Sequence, residues 1–263
     1  MCDVWDMRRR ALAVIPTYQE AANIKAVIRR VRRAAPEVDV LVVDDNSPDG
    51  TADFAEAVGR ELGRVMVLRR PAKAGLGTAY RAGFAFGIAR GYDVLIQMDA
   101  DLSHDPDALL GLLRAVEGGA DLAIGSRYVS GGATPNWPAR RRLLSRSGNR
   151  YARWMLQLGV ADATSGYRAY RTSALRAVHY EATRATGYGF QIELTHRIGR
   201  GGGRIAELPI VFNDRTRGKS KMSARITGEA LALVTWWAIR DRLPGRPHRP
   251  VHHPPDAEVP AAA

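Results

Sequence analysis

Two aspartates separated by one alanine, Asp99 and Asp101, follow an apolar run that begins at Val94. Alternate residues of an extended chain point the same way, so both carboxylates can bind one hard divalent cation, Mg²⁺ or Mn²⁺. Such a cation can in turn hold a diphosphate. In open α/β sheets, ligands bind outside the carboxyl ends of the strands, which is where this pair would lie. Because an isolated Asp-x-Asp is also common in solvated turns, the metal site is predicted only in combination with other motifs.

Three other loops that follow apolar runs or precede helical patterns carry residues relevant to a nucleotide. Residues 16–20 offer an aromatic ring for a base and a carboxylate for its edge. Asp44 and Asp45 follow the next run, where a carboxylate can accept hydrogen bonds from ribose hydroxyls or a base. The glycines of segment 75–77 do not form a Gly-x-Gly-x-x-Gly fingerprint, and the chain has no Walker lysine motif. Dinucleotide binding and P-loop ATP binding therefore lose support.

These loops together predict a site for a sugar nucleotide, with a base, a ribose and a diphosphate held by the cation. Stabilisation of a departing diphosphate by a metal ion contributes several kcal/mol in such chemistry. Arg215 and Lys221 could form a second charge clamp on the phosphates. A glycosidase-type pair of carboxylates is the competing interpretation of Asp99 and Asp101. One intervening residue favours a shared metal over positions on opposite sides of a sugar.

The order of the remaining patterns predicts an α/β domain with a mostly parallel, doubly wound sheet and helices on both faces. Strands are predicted at residues 11–15, 38–43, 64–68, 94–98 and 121–124, and helices at 20–33, 51–62, 78–90 and 105–117. Thr51 is expected to cap the second helix. This domain is predicted to span residues 11–221, after an N-terminal extension at 1–10.

Two later segments depart from this alternation. Residues 131–150 begin with the pair Gly131-Gly132 and hold two prolines and a series of arginines, which favours a long binding loop or lid. Residues 222–243 predict an amphipathic helix. Its apolar face comprises Ile226, Ala230, Leu233, Val234 and Trp237, and Trp236 and Ile239 would widen it. Such a helix could cover the core or lie in a membrane interface, which indoles and flanking arginines suit. Residues 244–263 form a Pro- and His-rich tail that is predicted to be disordered.

Composition limits the classes of partner and compartment. Lys and Arg number 39 against 27 Asp and Glu, a formal charge of +12 that fits nucleic acid, an anionic membrane or phosphorylated substrates. Nucleic acid is not expected, because no recognised module occurs and the acidic loops would repel a phosphate backbone. Cys2 is the single cysteine, which excludes an intrachain disulfide and fits a reducing, cytosolic setting. No apolar run reaches the roughly 18–20 residues of a membrane span, and no signal peptide is evident.

These motifs resemble those of the dolichol-phosphate and polyprenol-phosphate mannose synthases, which are inverting family 2 glycosyltransferases with the GT-A fold. The matching segments are 16–20, 43–51, 75–80, 98–106, 125–128, 165–168, 187–193 and 215–221, in register over about residues 11–243. Gln19 stands where the family usually has Asn. Ser103 stands where some members carry a Gln that binds the metal, which leaves a third protein ligand open.

The resemblance implies GDP-mannose as donor, a polyprenyl phosphate as acceptor, and Mg²⁺ or Mn²⁺ as cofactor. The residues implied to bind the nucleotide sugar are Pro16, Tyr18, Glu20, Val43, Asp45, Asp99, the Ala100 backbone, Asp101, Arg215 and Lys221. Those implied to receive the acceptor phosphate are Arg127, Arg141 and Ser145. Asp99 and Asp101 would hold the metal, and Asp101 and Arg127 would be the catalytic residues.

The alternative to GDP-mannose is UDP-glucose or another sugar nucleotide with the same kind of acceptor. We expect the protein to be peripheral, on the cytoplasmic face of a membrane, and a separate membrane-anchoring subunit is left open as a partner. A phosphate monoester is already an oxyanion near neutral pH, since its second pKa is about 6, so the chemistry needs no dedicated general base.

Overall fold

The computed structural model describes residues 9–185, 187, 189–214 and 224–242, with the side chains of the last helix described from residue 228. Seven strands form one sheet in the order β3-β2-β1-β4-β6-β5-β7. They are β1 (Ala11–Thr17), β2 (Asp39–Asp44), β3 (Val65–Arg69), β4 (Val94–Gln97), β5 (Leu122–Ser126), β6 (Arg168–Arg171) and β7 (Ile205–Pro209). All neighbours pair in parallel except β6, which runs antiparallel to β4 and β5.

Eight helices flank the sheet in the described part of the chain. They are α1 (Ile24–Ala34), α2 (Thr51–Leu62), α3 (Leu76–Ala89), α4 (Leu109–Glu117), α5 (Ala139–Leu156), α6 (Thr172–Ala177), α7 (Gly189–Arg200) and α8 (Ala224–Arg242). Short 3₁₀ turns occur at Pro106–Ala108 and Tyr180–Ala182.

The strands are buried on both faces, as their near-continuous apolar sequences predict. Along β1, Leu12 and Val14 point to one side and Ala13 and Ile15 to the other, and all four side chains are inaccessible to solvent. The first side packs against α3, α5, α7 and α8, and the second against α1, α2 and α4. The α/β architecture with helices on both faces is therefore confirmed.

The strand order determines where a ligand can bind. The chain builds β1 to β3 outward in one direction and then places β4 on the other side of β1. The loops after β1 and β4 consequently diverge and leave a crevice at the carboxyl edge of the sheet. Because β6 is antiparallel, the loop that precedes it, residues 160–167, arrives at this same edge.

The prediction of a long loop at residues 131–150 is wrong. Helix α5 begins at Ala139, directly after Pro138, so the irregular connection from β5 covers only residues 127–138. The turn-forming glycines and prolines are confined to that first part. The sequence that follows is rich in Arg, Leu and Ala, which have high helix propensity, and its one glycine, Gly148, is tolerated inside the helix.

The predicted capping role of Thr51 is also wrong. Gly50 holds the N-cap position of α2 with a left-handed backbone, φ 79°, which favours glycine because it lacks a β-carbon. Thr51 is the first helical residue, and its hydroxyl donates to Asp49 at 2.6 Å. The same hydroxyl accepts the backbone N–H of Glu20 at 3.0 Å, so it ties the loop after β1 to α2.

Helix α8 covers part of the core and leaves another part of its surface exposed. Val234, Trp237 and Ala238 are buried against α5 and α7. Trp236 and Ile239 are 44% and 57% exposed, so the part of the apolar face that they widen is not buried against the core. The predicted position Ile226 lies outside the side chains that the structure describes. Within the described residues, no helix combines the length and the apolar character that crossing a bilayer requires.

A polar contact at the end of α8 complements this packing. His196 Nε2 on α7 lies 2.6 Å from Asp241 Oδ2, and the guanidinium of Arg200 binds the same carboxylate. Burial lowers the pKa of His196, although Asp241 acts in the opposite direction. The neutral ring can therefore serve as a hydrogen-bond partner that joins α7 to α8.

We predict that Trp237→Ala lowers the free energy of unfolding by about 3–5 kcal/mol, because it removes a fully buried indole between α8 and the core. Chemical denaturation measures the change. Trp236→Ala on the same helix is the matched control, with an expected loss of about 1 kcal/mol or less. Equal losses in both variants would contradict the described orientation of α8.

Candidate active site

The two predicted metal ligands lie at the carboxyl end of β4. The side chain of Asp99 is 35% exposed, whereas Asp101 is only 6% exposed. The hydroxyl of Tyr80 on α3 donates to Asp99 Oδ1 at 3.4 Å. The backbone N–H of Ser103 donates to Asp101 Oδ1 at 3.0 Å, and its hydroxyl donates to the same oxygen. Ser103 therefore orients Asp101, which gives this position a role that does not require it to bind a metal.

His104 is a part of this site that the sequence analysis did not single out. Its imidazole is buried, and Nδ1 accepts the backbone N–H of Asp99 at 3.1 Å. Nε2 lies 3.9 Å from Asp99 Oδ2, and the ring stacks on Tyr167 with centroids 4.8 Å apart. Burial lowers the pKa of His104. A neutral ring that accepts at Nδ1 carries its proton on Nε2, so that N–H can face the carboxylate of Asp99.

The space in front of Asp99 is kept open by a glycine. A β-carbon at Gly166, in the loop before β6, would lie 3.3 Å from Asp99 Oδ2 and 3.4 Å from His104 Cε1. Among the described residues, no cluster of three or more His, Cys, Asp or Glu side chains could hold a metal ion. The residues present fit a hard cation held by Asp99 and Asp101, with its other ligands supplied by diphosphate oxygens and water, as is usual for Mg²⁺.

The loop after β2 is held by two carboxylates with different environments. Asp45 binds Arg70, whose Nη1 lies 2.7 Å from Asp45 Oδ1 and whose Nη2 donates to Thr78 at 2.9 Å. Burial raises the pKa of Asp45, and Arg70 only partly opposes this effect. Asp44 is 2% exposed and accepts hydrogen bonds from Thr17 and from the backbone of Ser47. Asp44 therefore organises the loop, and Asp45 is the carboxylate placed next to cationic and hydroxyl groups.

The start of α3 connects this loop to the carboxylate pair. Thr78 in its first turn binds Arg70, and Tyr80 two residues later binds Asp99. The structure thus brings Asp45 and Asp99 to either side of one helix terminus. Arg70 is a site residue that the sequence analysis missed, because nothing in the spacing of residues 69–75 separates it from a surface arginine.

The other residues predicted to bind the nucleotide lie on β1, in the loop that follows it and on β2. Lys73 Nζ lies 4.1 Å above the ring of Tyr18, which brings a cation to this aromatic face. The carboxylate of Glu20 accepts from the amide of Asn23 at 2.9 Å. Pro16 is half-buried near the end of β1, whereas Val43 is fully buried in the core. The side chain of Val43 is therefore not accessible to a nucleotide.

Arg127, the predicted acceptor-phosphate and catalytic residue, follows β5 and forms a buried ion pair. Its Nε and Nη2 bind the two oxygens of Asp162 at 2.7 Å each, and its backbone N–H donates to the same carboxylate at 3.0 Å. Nη2 also binds Thr164 at 2.8 Å. Burial acts to raise the pKa of Asp162, but the charge and hydrogen bonds of Arg127 outweigh it and lower the pKa. Asp162 therefore stays ionised and fixes the guanidinium.

Two further groups hold the loop that contains Asp162. The carboxylate of Glu207 on β7 accepts the backbone N–H groups of Ala161 and Asp162 at 2.6 and 2.9 Å. The fully buried guanidinium of Arg168 on β6 donates to the carbonyls of Ala163 and Ser165, both at 2.6 Å. The loop is consequently rigid over the stretch that positions Arg127 and Gly166.

Helix α5 brings the other two residues predicted to bind the acceptor phosphate to the same region. Arg141 and Ser145 lie one turn apart, so they share a side of the helix. Tyr128, next to Arg127, donates to Ser145 at 2.7 Å. The ring of Trp137 lies 4.0 Å from the guanidinium carbon of Arg141 and 5.4 Å from that of Arg127. The three predicted residues are therefore brought together around Trp137 and Tyr128.

The ion pair of Arg141 is more exposed to solvent than that of Arg127. Its Nη1 lies 2.9 Å from both oxygens of Asp214, and both side chains are 35% exposed. The ring of Phe212, two residues before Asp214, lies 5.5 Å from Trp137 and 5.5 Å from His104. This aromatic contact joins the arginine pair to the carboxylate pair. Arg215 and Lys221, the predicted clamp on the donor phosphates, lie outside the described residues.

Comparison with known proteins assigns the family. The pattern of glycosyl transferase family 2 matches residues 12–178. The undecaprenyl-phosphate mannosyltransferase of Micrococcus luteus is 52% identical over 236 residues, which cover 90% of this chain and 97% of that protein. The polyprenol monophosphomannose synthase of Mycolicibacterium smegmatis is 50% identical over 236 residues, with 89% of each chain covered.

Among solved structures, the mannosyltransferase PcManGT of Pyrobaculum calidifontis in complex with GDP-Man and Mn²⁺ has the same fold. Its TM-score is 0.63 at 15% sequence identity, with 91% of this chain and 68% of that one covered. The predicted resemblance and fold are thereby confirmed. The chain belongs to glycosyl transferase family 2 and is a glycosyltransferase with the GT-A fold.

Proposed function

We propose that the protein transfers mannose from GDP-mannose to the phosphate of a polyprenyl phosphate, giving β-mannosyl-phosphoryl-polyprenol and GDP. The observation that carries this proposal is the arginine-rich site around Trp137, which adjoins the Asp99–Asp101 pair through Phe212 and His104. The arginine-rich site suits an anionic acceptor, and the Asp99–Asp101 pair suits a metal-bound diphosphate. The relatives that are 52% and 50% identical to this chain are named undecaprenyl-phosphate mannosyltransferase and polyprenol monophosphomannose synthase.

The donor fits the crevice between β1 and β4. Tyr18 and Glu20 border its base side, Asp45 its ribose side, and Asp99 and Asp101 its diphosphate end. The divalent cation, Mg²⁺ or Mn²⁺, would neutralise charge on the diphosphate as GDP departs. Arg215 and Lys221 would add positive charge on the same phosphates.

The reaction is a single displacement at the anomeric carbon of mannose. An oxygen of the acceptor phosphate forms the new C–O bond while the bond from that carbon to the diphosphate breaks, and the electron pair leaves with GDP. Attack from the face opposite the leaving group inverts an α-linked donor to a β-linked product. The attacking oxygen is already ionised near neutral pH, so the site needs a residue that places it rather than one that deprotonates it.

The arginines make it favourable to bring two anions together. Two unit charges 4 Å apart repel by about 4 kcal/mol at an effective dielectric constant of 20. Arg127 is oriented and largely neutralised by Asp162, so it contributes fixed N–H groups more than net charge. Arg141 is paired with the half-exposed Asp214, which an incoming phosphate can replace. Arg141 therefore supplies most of the net attraction for the acceptor.

The acceptor's hydrocarbon chain places the reaction at a membrane surface. Eight large apolar side chains are exposed in the described part of the chain, and six of them lie on α5 and α8. These are Leu143, Leu144 and Trp154 on α5 and Leu231, Trp236 and Ile239 on α8. The two helices pack together, with the hydroxyls of Tyr151 and Thr235 2.7 Å apart. Their shared outer surface is the part of the protein best suited to contact lipid.

The first test is transfer itself. We expect the purified protein with Mg²⁺ or Mn²⁺ and a polyprenyl phosphate to form a mannosyl-phosphoryl-polyprenol from GDP-mannose, as detected by mass spectrometry. A parallel reaction with UDP-glucose should give no lipid-linked sugar. Product from UDP-glucose alone would show that the donor is UDP-glucose and not GDP-mannose. The absence of product with either donor would reject the proposal.

We predict that Asp101→Ala reduces turnover by about 10³-fold or more, because it removes a carboxylate that holds the metal at the departing diphosphate. Thermal unfolding should show a folded protein. Asp107→Ala, which removes an exposed carboxylate six residues away, is the matched control and should keep near-normal turnover. Similar turnover in both variants would exclude the proposed metal site.

We predict that Arg141→Ala raises KM for the acceptor by about tenfold to a hundredfold, since a charge-assisted contact to phosphate is worth about 1.5–3 kcal/mol. Affinity for GDP-mannose, measured by calorimetry, should change little. Arg140→Ala removes the neighbouring, exposed arginine and serves as the control. All variants are assayed with a water-soluble short-chain acceptor. A matching loss of donor affinity in Arg141→Ala would place this arginine on the donor instead.

A further inference from the structure

A surface groove with a volume of about 740 Å³ lies along α5, beside the acceptor residues but not among them. Three arginines of α5 line it, Arg146, Arg150 and Arg153, together with Trp154 and Tyr128. We call these five residues the arginine groove. Tyr128 belongs to both regions, because its hydroxyl donates to Ser145 while its ring lies 5.6 Å from the guanidinium of Arg146.

The charge of the groove is not neutralised within the described part of the protein. The spacing of Arg146, Arg150 and Arg153 places them on one side of α5, and all three are exposed. No described carboxylate lies within ion-pair distance of any of them, in contrast to Arg127 and Arg141. Three unpaired guanidinium groups in one concave surface attract an anion, and their planar forks suit phosphate oxygens.

The helix that carries these arginines also exposes large apolar side chains. Trp154 lines the groove and is 71% exposed, and Leu143 and Leu144 on the same helix are 68% and 58% exposed. Arginines beside exposed indole and leucine side chains are typical of a helix that lies in a membrane interface. The chemistry of the surface therefore matches a phosphate group attached to hydrocarbon, and a soluble phosphate alone would leave the apolar part unused.

We propose that the arginine groove binds the phosphate headgroup of an anionic phospholipid in the bilayer, while Trp154, Leu143 and Leu144 enter the adjoining acyl region. This inference rests on the proposed function in one respect, that the acceptor is held in a membrane. It assigns two separate phosphate sites to α5. Arg141 and Ser145 take the acceptor, and the arginine groove takes a bulk lipid that orients the helix on the membrane.

The test measures vesicle binding without donor or acceptor, so that it does not depend on transfer. The wild-type protein should co-sediment with phosphatidylcholine vesicles that contain about 30% phosphatidylglycerol and bind pure phosphatidylcholine weakly. Arg150→Glu/Arg153→Glu should reduce binding to the anionic vesicles by about thirtyfold or more. Arg33→Glu/Arg60→Glu, which changes the net charge equally at exposed positions on α1 and α2, lies on the opposite face of the sheet. This control should lose much less binding.

A second pair of measurements separates a headgroup site from an acceptor site and from misfolding. Arg150→Gln/Arg153→Gln should unfold at the wild-type temperature and still bind anionic vesicles less well. Transfer from GDP-mannose to a water-soluble short-chain acceptor should be retained in both groove variants. Equal vesicle binding in the groove and control variants would overturn the proposal, as would equal binding of wild-type protein to neutral vesicles. Loss of the soluble reaction with unchanged vesicle binding would assign the groove to the acceptor.

Discussion

The buried ion pair between Arg127 and Asp162 is the interaction on which the catalytic edge depends. It joins the end of β5 to the loop before the antiparallel strand β6, and Glu207 and Arg168 hold that loop from β7 and from β6 itself. Removing one partner of such a pair typically costs about 3–5 kcal/mol, because the other charge stays buried alone. The same loop carries Gly166, which leaves the space in front of Asp99. One rigid segment thus sets the distance between the acceptor side and the metal side.

The two arginines assigned to the acceptor phosphate differ in how freely they can change partners. Arg127 is 8% exposed and bound along the Nε–Nη2 edge of its guanidinium by a carboxylate that is itself inaccessible, so its position is fixed. Arg141 shares a half-exposed carboxylate, Asp214, at which solvent screens the attraction. Exchange of that carboxylate for a phosphate dianion replaces one anion with a more highly charged one. Binding of the acceptor is therefore favourable at Arg141 without leaving a buried charge unpaired at Arg127.

Helix α5 carries both the residues proposed to bind the acceptor and the surface proposed to contact the membrane. Its first two turns place Arg141 and Ser145 at the site, and its later turns place three unpaired arginines and Trp154 on the outer surface. Buried contacts through Ala152 and Leu156, and the packing of α8 alongside, fix the rotation of the helix about its axis. In the proposed arrangement, a lipid surface that engages the outer side would hold the site close to an acceptor phosphate in the same bilayer.

The sequence by itself determined the alternation of buried strands and helices, the Asp99-x-Asp101 pair and the family, because each depends on local periodicity or on residues adjacent in the chain. It also placed Arg127, Arg141 and Ser145 correctly near one another, but only through resemblance. Only the tertiary structure decided that residues 139–150 belong to a helix, that Val43 faces the core, and that Arg70, His104 and Asp162 serve the site. Asp162 and Arg127 form an ion pair although they lie 35 positions apart in the sequence. Such contacts arise from strand order and burial, which no local pattern encodes.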